Sequence, residues 1–337
     1  MLLAFANPKI MNILITGGAG FIGAKLCAKL LAEGTLLTTA GVRKVERITV
    51  LDQASVPLPP DERLVSLVGN ANDVRELKRA FGDGVDVIFH LAAVVSVAAE
   101  RDFDLGYAVN LAGTMALLDL CRSLPGPPQV IMASSAAVYG GPLAESVGEE
   151  TALFPQTSYG TQKAIAELLI NDYTRKGYIQ GCCLRLPTIV VRPGKPNMAA
   201  SSFASSLVRE PLLGNDYVCP VPASTPLCLL SVRRVVASFA HAASLSKATL
   251  GHTVAVQLPG LTLTVNDLLQ ALGQVAGPDV AERVSFLPQP DIVSIVNGWP
   301  ASFAAKRALR MGFSHDDNAA EIISAFVSDE LGGKTKP

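Results

Sequence analysis

The sequence predicts an α/β protein in which a doubly wound parallel sheet is followed by a smaller C-terminal lobe. Three observations lead there. Short, near-continuous apolar runs alternate with stretches of helical spacing through the first half of the chain. A glycine-rich turn joins the first run to the first helical stretch. From about residue 187 the alternation stops and prolines gather, at 187, 193, 196, 211, 220, 222 and 226. Strands that are apolar along their whole length, rather than on alternate residues, belong to parallel sheets with helices on both faces.

Each element has its own justification. MNILITG (11–17) is an apolar run closed by glycine, and FIGAKLCAKLLAEG (21–34) repeats apolar residues at helical spacing. RITVLD (47–52), RLVSLVG (63–69) and VDVIFHLAA (85–93) read as the next strands. A helical span from about Phe103 to Leu124 precedes the strand QVIMASS (129–135). TSYGTQKAIAELL (157–169) opens another helix, and GYIQGCCLRL (177–186) is the sixth strand. Residues 35–46 form a longer excursion before the second strand. Residues 1–10 are an N-terminal extension, 11–186 the first domain, and 187–337 mainly the second lobe, with returns to the first domain allowed.

Composition narrows the class of function. The 337 residues are 49% hydrophobic and 17% charged, which suffices for a large core. The 28 basic and 29 acidic residues are intermixed, whereas a nucleic-acid binder carries a basic excess or stripe, so no such partner is expected. Every apolar run breaks well before the roughly 20 residues of a membrane span. No membrane partner is expected either. The six cysteines (27, 121, 182, 183, 219 and 228) have no CxxC spacing and read as small buried hydrophobes of a reducing cytoplasm. The four histidines are dispersed, so no metal is expected. MLLAFANPKI lacks the basic start and long apolar stretch of a signal peptide.

ITGGAGFIG (15–23) spaces Gly17, Gly20 and Gly23 between strand and helix, with Phe21 and Ile22 beside them. Such glycines permit a tight turn, close approach of a pyrophosphate and close helix packing, while the helix N-terminus favours the phosphates. The first domain is thus read as a Rossmann-like dinucleotide-binding domain. Asp52 ends the second strand, where a carboxylate accepts hydrogen bonds from both ribose hydroxyls and repels a 2′-phosphate. NAD is the expected cofactor.

Tyr159 and Lys163, four residues apart, share a helix face. Tyrosine with its ordinary pKa is a poor base at neutral pH, and lowering it by about three units takes roughly 4 kcal/mol. A nearby ammonium and a positive nicotinamide ring, in a partly dry site, supply favourable charge of that order. By itself the YxxxK spacing is common. Here it follows TGGAGFIG, HLAA (90–93), Asn110 in VNLAGT, and Ser134 and Ser135 in MASSAAVYGG. From about residue 12 to 194 this ordered series resembles the extended short-chain dehydrogenase/reductase family.

The resemblance implies a Rossmann-like doubly wound parallel sheet with a smaller C-terminal substrate-binding lobe. It assigns Ser135, in preference to Ser134, to orienting the substrate hydroxyl, Tyr159 to proton exchange, Lys163 to tuning Tyr159 and holding the nicotinamide ribose, and Asn110 to a relay water. Asn70, Ala71, Leu91, Ala92, Ala93 and Pro187 would line the cofactor site, as would His90, which is not read as a base. Three departures count against a nucleotide-sugar substrate. Thr188 in LRLPT replaces an asparagine, IVVRPGKPN replaces a tyrosine-glycine-proline turn, and Arg233 and Arg234 in LLSVRRVV replace paired aspartates. The stretch 185–212 is similar instead to the family's D-erythronate-oxidising group, which implies oxidation of a four-carbon 2-hydroxy acid at C2. The substrate carboxylate needs cations or convergent donors, and Arg192 and Lys195 with Ser201 and Ser202 are the candidates. Ser96 and Thr188 join Ser134, Ser135 and Tyr159 as candidate substrate contacts.

Two other readings stay open at this level: a nucleotide-sugar epimerase or dehydratase that keeps its NAD bound, and a non-catalytic NAD-binding regulatory protein, which would be expected to lose the tyrosine or lysine. The resemblance also implies a homodimer through the helices near 103–124 and 158–175.

Overall fold

Residues 10–194 and 201–334 are described in the computed structural model. The strands are β1 (Ile10–Thr16), β2 (Thr35–Thr38), β3 (Gly41–Asp52), β4 (Leu64–Val68), β5 (Val87–His90), β6 (Gln129–Ser135) and β7 (Gln180–Leu186). They continue with β8 (Thr188–Val190), β9 (Tyr217–Cys219), β10 (Pro226–Ser231), β11 (Ala255–Gln257), β12 (Leu261–Thr264) and β13 (Val284–Phe286). The main sheet runs β4–β3–β1–β5–β6–β7–β11, and all these pairs are parallel. Strand order reverses at β1, and such a switch point opens a crevice at the carboxyl ends of the neighbouring strands. That crevice positions the site.

Three local expectations need correction. β1 begins at Ile10, which pairs with Lys44, so this residue belongs to the sheet rather than to the extension expected over 1–10. The excursion at 35–46 is a hairpin. β2 turns at Thr39–Ala40 and pairs antiparallel with the first part of β3, so RITVLD is the second half of a 12-residue strand. This added length separates Asp52 from the glycine loop in sequence while leaving it at the strand end. The helix expected from Phe103 to Leu124 is also interrupted: helical segments Phe103–Gly106 and Gly113–Cys121 flank a wider π-helical turn, Tyr107–Ala112. That turn holds Asn110, and wide turns of this kind often occur at functional sites.

The second lobe has its own core. A three-stranded sheet, β12–β10–β8, and the β9–β13 pair pack with helices Ser202–Leu212, Val265–Ala276 and Ala319–Glu330 around residues such as Phe203, Leu229, Leu268 and Phe326. Several later segments return to the first core: β11 extends the main sheet, helix Val232–Ala242 buries Val235 and Phe239 against it, and Leu250, Ala308 and Phe313 join the same cluster. Arg233 and Arg234, read above as departures at a binding segment, instead tie this helix to Asp329 and Glu321 of the C-terminal helix. All six cysteines are buried and free.

Below the crevice lies a buried ion pair. Glu167 of helix Ser158–Arg175 accepts from Arg185 Nε and Nη2 of β7, at 2.9 and 2.7 Å, and from the Ser134 hydroxyl of β6 at 2.5 Å. Arg185 Nη1 donates to Tyr139 Oη at 2.7 Å. Burial opposes the charge on Arg185, but the hydrogen bond and charge of Glu167 outweigh it and raise the arginine's pKa. Removing one member of such a pair leaves the other charged and unpaired in a dry site. Arg185→Met is expected to lower unfolding free energy by about 3–5 kcal/mol, measured by urea denaturation at pH 7.

Candidate active site

The carboxyl ends of β1, β3, β5, β6 and β7 frame a cleft of about 560 Å³. Its walls include Gly17, Gly20, Phe21, Ile22 and Gly23 after β1, Asp52 ending β3, Ala71 after β4, and Leu91, Ala92 and Ala93 after β5. Ser134, Ser135, Tyr159, Lys163 and Pro187 line it from the other side. The structure therefore gathers nearly all the residues expected at the cofactor. Asn70 stands apart. It is exposed, its Oδ1 accepts from Gln53 Nε2 at 2.9 Å, and its neighbours Gly69, Ala71 and Asn72 face the cleft in its stead.

The glycine loop fits a dinucleotide physically. Gly17 has φ +72°, and a Cβ on it would lie 2.5 Å from the Ala92 backbone nitrogen. A Cβ on Gly23 would lie 2.4 Å from Gly17 O, so only glycine lets the helix approach the strand this closely. Helix Phe21–Glu33 has no side-chain cap at Gly20, which leaves its first N–H groups available to an anion. Asp52 Oδ2 accepts from Ala19 N at 3.0 Å, which anchors the carboxylate at the loop. Lys163 is 2% exposed and makes no hydrogen bond or ion pair among the described residues. A buried ammonium without a partner, at the edge of a cleft, fits a polar ligand such as a ribose.

Tyr159 lies in the first turn of its helix, whose N-cap, Thr157, accepts from Gly160 N. Burial raises the Tyr159 pKa, while hydrogen bonding with Ser135 and the charge of Arg192 work against the rise. The ammonium of Lys163 lies 5.8 Å from the Tyr159 ring centroid. Burial pushes its own pKa down to about 8. Ser135 and Arg192 are thus protein groups that favour phenolate, beside the Lys163 ammonium that faces the ring.

Two other candidates have structural roles. The Ser134 hydroxyl is buried and committed to Glu167, which leaves Ser135 as the hydroxyl beside Tyr159. Asn110 Oδ1 accepts from Val94 N at 2.8 Å, and its Nδ2 donates to Val94 O and to Gln162 Oε1. Its side chain clamps the loop after β5 and does not line the cleft; the relay water expected of it has no free side-chain donor to meet. His90 is also enclosed. Thr114 donates its hydroxyl to Asn110 O at 2.7 Å, so it accepts from His90 Nε2, and Nδ1 accepts from Thr16. Burial, then the Lys163 charge, pushes the His90 pKa down to about 3, so the ring stays neutral.

Beside the cleft is a second, smaller pocket of about 170 Å³. Val95, Ser135, Tyr159, Leu186, Pro187 and Arg192 line both spaces and mark their junction. Ser96, Thr188 and Ser201 line the small pocket alone, whereas Ser202 opens helix Ser202–Leu212 and lines neither space; Lys195 lies outside the described residues. Arg192 Nε donates to Ile189 O at 3.3 Å, and its terminal nitrogens make no hydrogen bond among the described residues. Sequence reasoning missed Tyr139, Leu227, Cys228, Trp299 and Phe303, which complete the walls. Trp299 is the chain's sole tryptophan, the one signal that pointed to this segment.

Comparison with known proteins agrees with this geometry. The NAD dependent epimerase/dehydratase family profile matches residues 13–242. A D-erythronate dehydrogenase of Cupriavidus necator is 48% identical over 95% of this chain and 98% of its own length. One from Haemophilus influenzae is 41% identical over 95% of this chain and 100% of its own. A solved structure described as a nucleoside-diphosphate-sugar epimerase from Agrobacterium tumefaciens superposes with a TM-score of 0.92 at 38% identity, covering 100% of this chain and 99% of that one.

The lysine carries a pH signature. The unfolded chain keeps the Lys163 proton to about 10.5, whereas the folded chain releases it near 8. The unfolded state therefore binds more protons between these values, and this group's contribution to stability rises with pH through that window. Comparing unfolding free energies of the ligand-free protein and Lys163→Met between pH 7.5 and 10 should show a more positive slope in the parent. Equal slopes would contradict the assignment.

Proposed function

The chain belongs to the NAD dependent epimerase/dehydratase family, and on that premise we propose that it oxidises the C2 hydroxyl of D-erythronate with NAD, giving 2-dehydro-D-erythronate. Near-full-length similarity to two D-erythronate dehydrogenases supports the reading. The structural observation that carries it is Arg192: among the described residues of the small pocket it is the one charged side chain, and it stands at the junction with Tyr159. A small acid needs that arrangement of one cation beside one base.

The chemistry NAD supplies when bound is acceptance of the C2 hydride. Asp52 holds the adenosine ribose and disfavours a 2′-phosphate there. Lys163 holds the nicotinamide ribose with the ammonium that otherwise lacks a partner. Arg192 pairs with the substrate carboxylate through its terminal nitrogens, helped by Ser201. Ser135 hydrogen-bonds the C2 hydroxyl and, with Arg192, favours the phenolate of Tyr159. Tyr159 then takes the hydroxyl proton as C2 loses its hydride, and a 2-keto acid results.

The epimerase reading draws support from the Agrobacterium tumefaciens structure's description. Against it stand Thr188 and the size of the pocket. Drug-sized ligands occupy clefts of roughly 300–1,000 Å³, whereas about 170 Å³ is available here. The regulatory reading would expect Tyr159 or Lys163 to be lost, and both are present. No helix among the described residues is long and apolar enough to cross a membrane; a cytoplasmic setting is part of the proposal, in keeping with six free cysteines. A homodimer is proposed as well, through the exposed Phe103, Leu105, Met115 and Leu168 on the two helical segments expected to pair.

Incubation with D-erythronate and NAD is expected to release free NADH. Tyr159→Phe should lower kcat by about 10²–10⁴-fold, the usual share of acid–base catalysis. Arg192→Ala should raise KM by about 10–150-fold, the value of a lost charged hydrogen bond. Absence of NADH together with NAD co-purifying would favour the epimerase; saturable NAD binding without turnover of acids or sugar nucleotides would favour the regulator. Sedimentation should give a dimer, and Met115→Glu with Leu168→Glu should shift it to monomer.

A further inference from the structure

We propose that an aromatic wall of Tyr139, Phe303 and Trp299 sets the length of acid the small pocket accepts, admitting four carbons and rejecting five or six. The inference rests on the sugar-acid reading above and assigns a specificity role to residues outside the reacting centre.

The direction of the substrate follows from which residues the two spaces share. Tyr159, Ser135 and Arg192 all lie at the junction of cleft and pocket. The reacting C2 and the C1 carboxylate are therefore both held there, and the remaining carbons extend into the part of the pocket the cleft does not share. Tyr139, Trp299 and Phe303 line that part and not the cleft. The pocket measures about 170 Å³ in all, below the roughly 300–1,000 Å³ of clefts that take drug-sized ligands. A four-carbon acid suits so small a space, and each further hydroxymethylene unit is directed at the wall.

A wall discriminates only if it cannot yield, and this one is fastened on both sides. Phe303 sits between two backbone bonds to buried Val147: Val147 N donates to Ser302 O at 3.0 Å, and Ala304 N donates to Val147 O at 2.9 Å. Tyr139 is 3% exposed, accepts from Arg185 Nη1 at 2.7 Å, and has the Arg185 guanidinium 5.1 Å from its ring centroid. The two rings meet with centroids 6.2 Å apart. Arg185 is itself locked by Glu167. Inserting atoms against such a surface forces side chains from their rotamers, and one methylene-sized difference is commonly worth about 10–200-fold in kcat/KM.

The test measures kcat/KM for D-erythronate and for its five- and six-carbon homologues of the same C2 and C3 configuration, in the parent enzyme and in Phe303→Ala and Phe303→Leu. The parent should favour erythronate by at least tenfold. Phe303→Ala should raise the five-carbon to four-carbon ratio tenfold or more, with a smaller rise in Phe303→Leu, which keeps an apolar side chain and guards against loss of folding. Circular dichroism melts identify the folded variants. An unchanged ratio in a folded variant, or a parent that oxidises all three acids equally, overturns the wall. A folded parent that oxidises none of them overturns the sugar-acid reading, and the wall with it.

Discussion

The buried pair of Glu167 and Arg185 is the constraint on which the site depends. Glu167 stands two turns along from Tyr159, Arg185 belongs to β7, and between them they hold the end of β6 through Ser134 and the pocket wall through Tyr139. Three stretches distant in sequence, 134–139, the Tyr159 helix and β7, are thereby fixed to one another by charge-assisted hydrogen bonds in a buried place. Such a pair adds little net stability compared with apolar packing. What it contributes is register: Ser135 faces the cleft because the residue before it is committed to Glu167.

A second buried chain performs the same service on the cofactor side. Thr16, His90, Thr114, Asn110 and Gln162 follow one another in hydrogen-bond contact from the end of β1 to the Tyr159 helix. Each link joins a donor to an acceptor as far as Gln162 Oε1, whose own Nε2 finds no acceptor among the described residues, and the neutral His90 ring fits because its two nitrogens take opposite roles. The lysine among these structures is the exception. Lys163 has no hydrogen-bond or ion-pair partner among the described residues, and the cost of its burial shows in its lowered pKa. Unpaired buried charge of this kind is tolerated where a ligand completes it.

Much of the cofactor site was legible in the sequence because its chemistry is local. A glycine loop between strand and helix, a carboxylate at the next strand end, and a tyrosine and lysine on one helix face each occupy a short window whose geometry follows from backbone rules. Where the sequence misled, long-range contacts decided. The hairpin at 35–46 looked like an excursion because its strand character depends on pairing β2 with the first half of β3. Asn110 was expected to hold a water, yet its side chain finds closer partners in Val94 and Gln162. Tyr159 was expected to be tuned by Lys163, four residues away on the same helix, and Arg192 from the loop after β8 brings a second favourable charge that no local pattern signalled.

By itself, then, the sequence determined the α/β architecture, the glycine loop that lines the cleft and the Tyr159–Lys163 pair opposite it, since strand and helix periods, glycine turns and i, i+4 neighbours are set within a few residues of one another. The shape of the substrate pocket was decided only in the tertiary structure. Ser96, Tyr139, Arg192, Cys228 and Phe303 share one small space although they span most of the chain. They meet because β11 returns to the main sheet and Val147 binds the backbone on either side of Phe303. Contacts of that separation follow from how whole elements pack, and no local pattern records them.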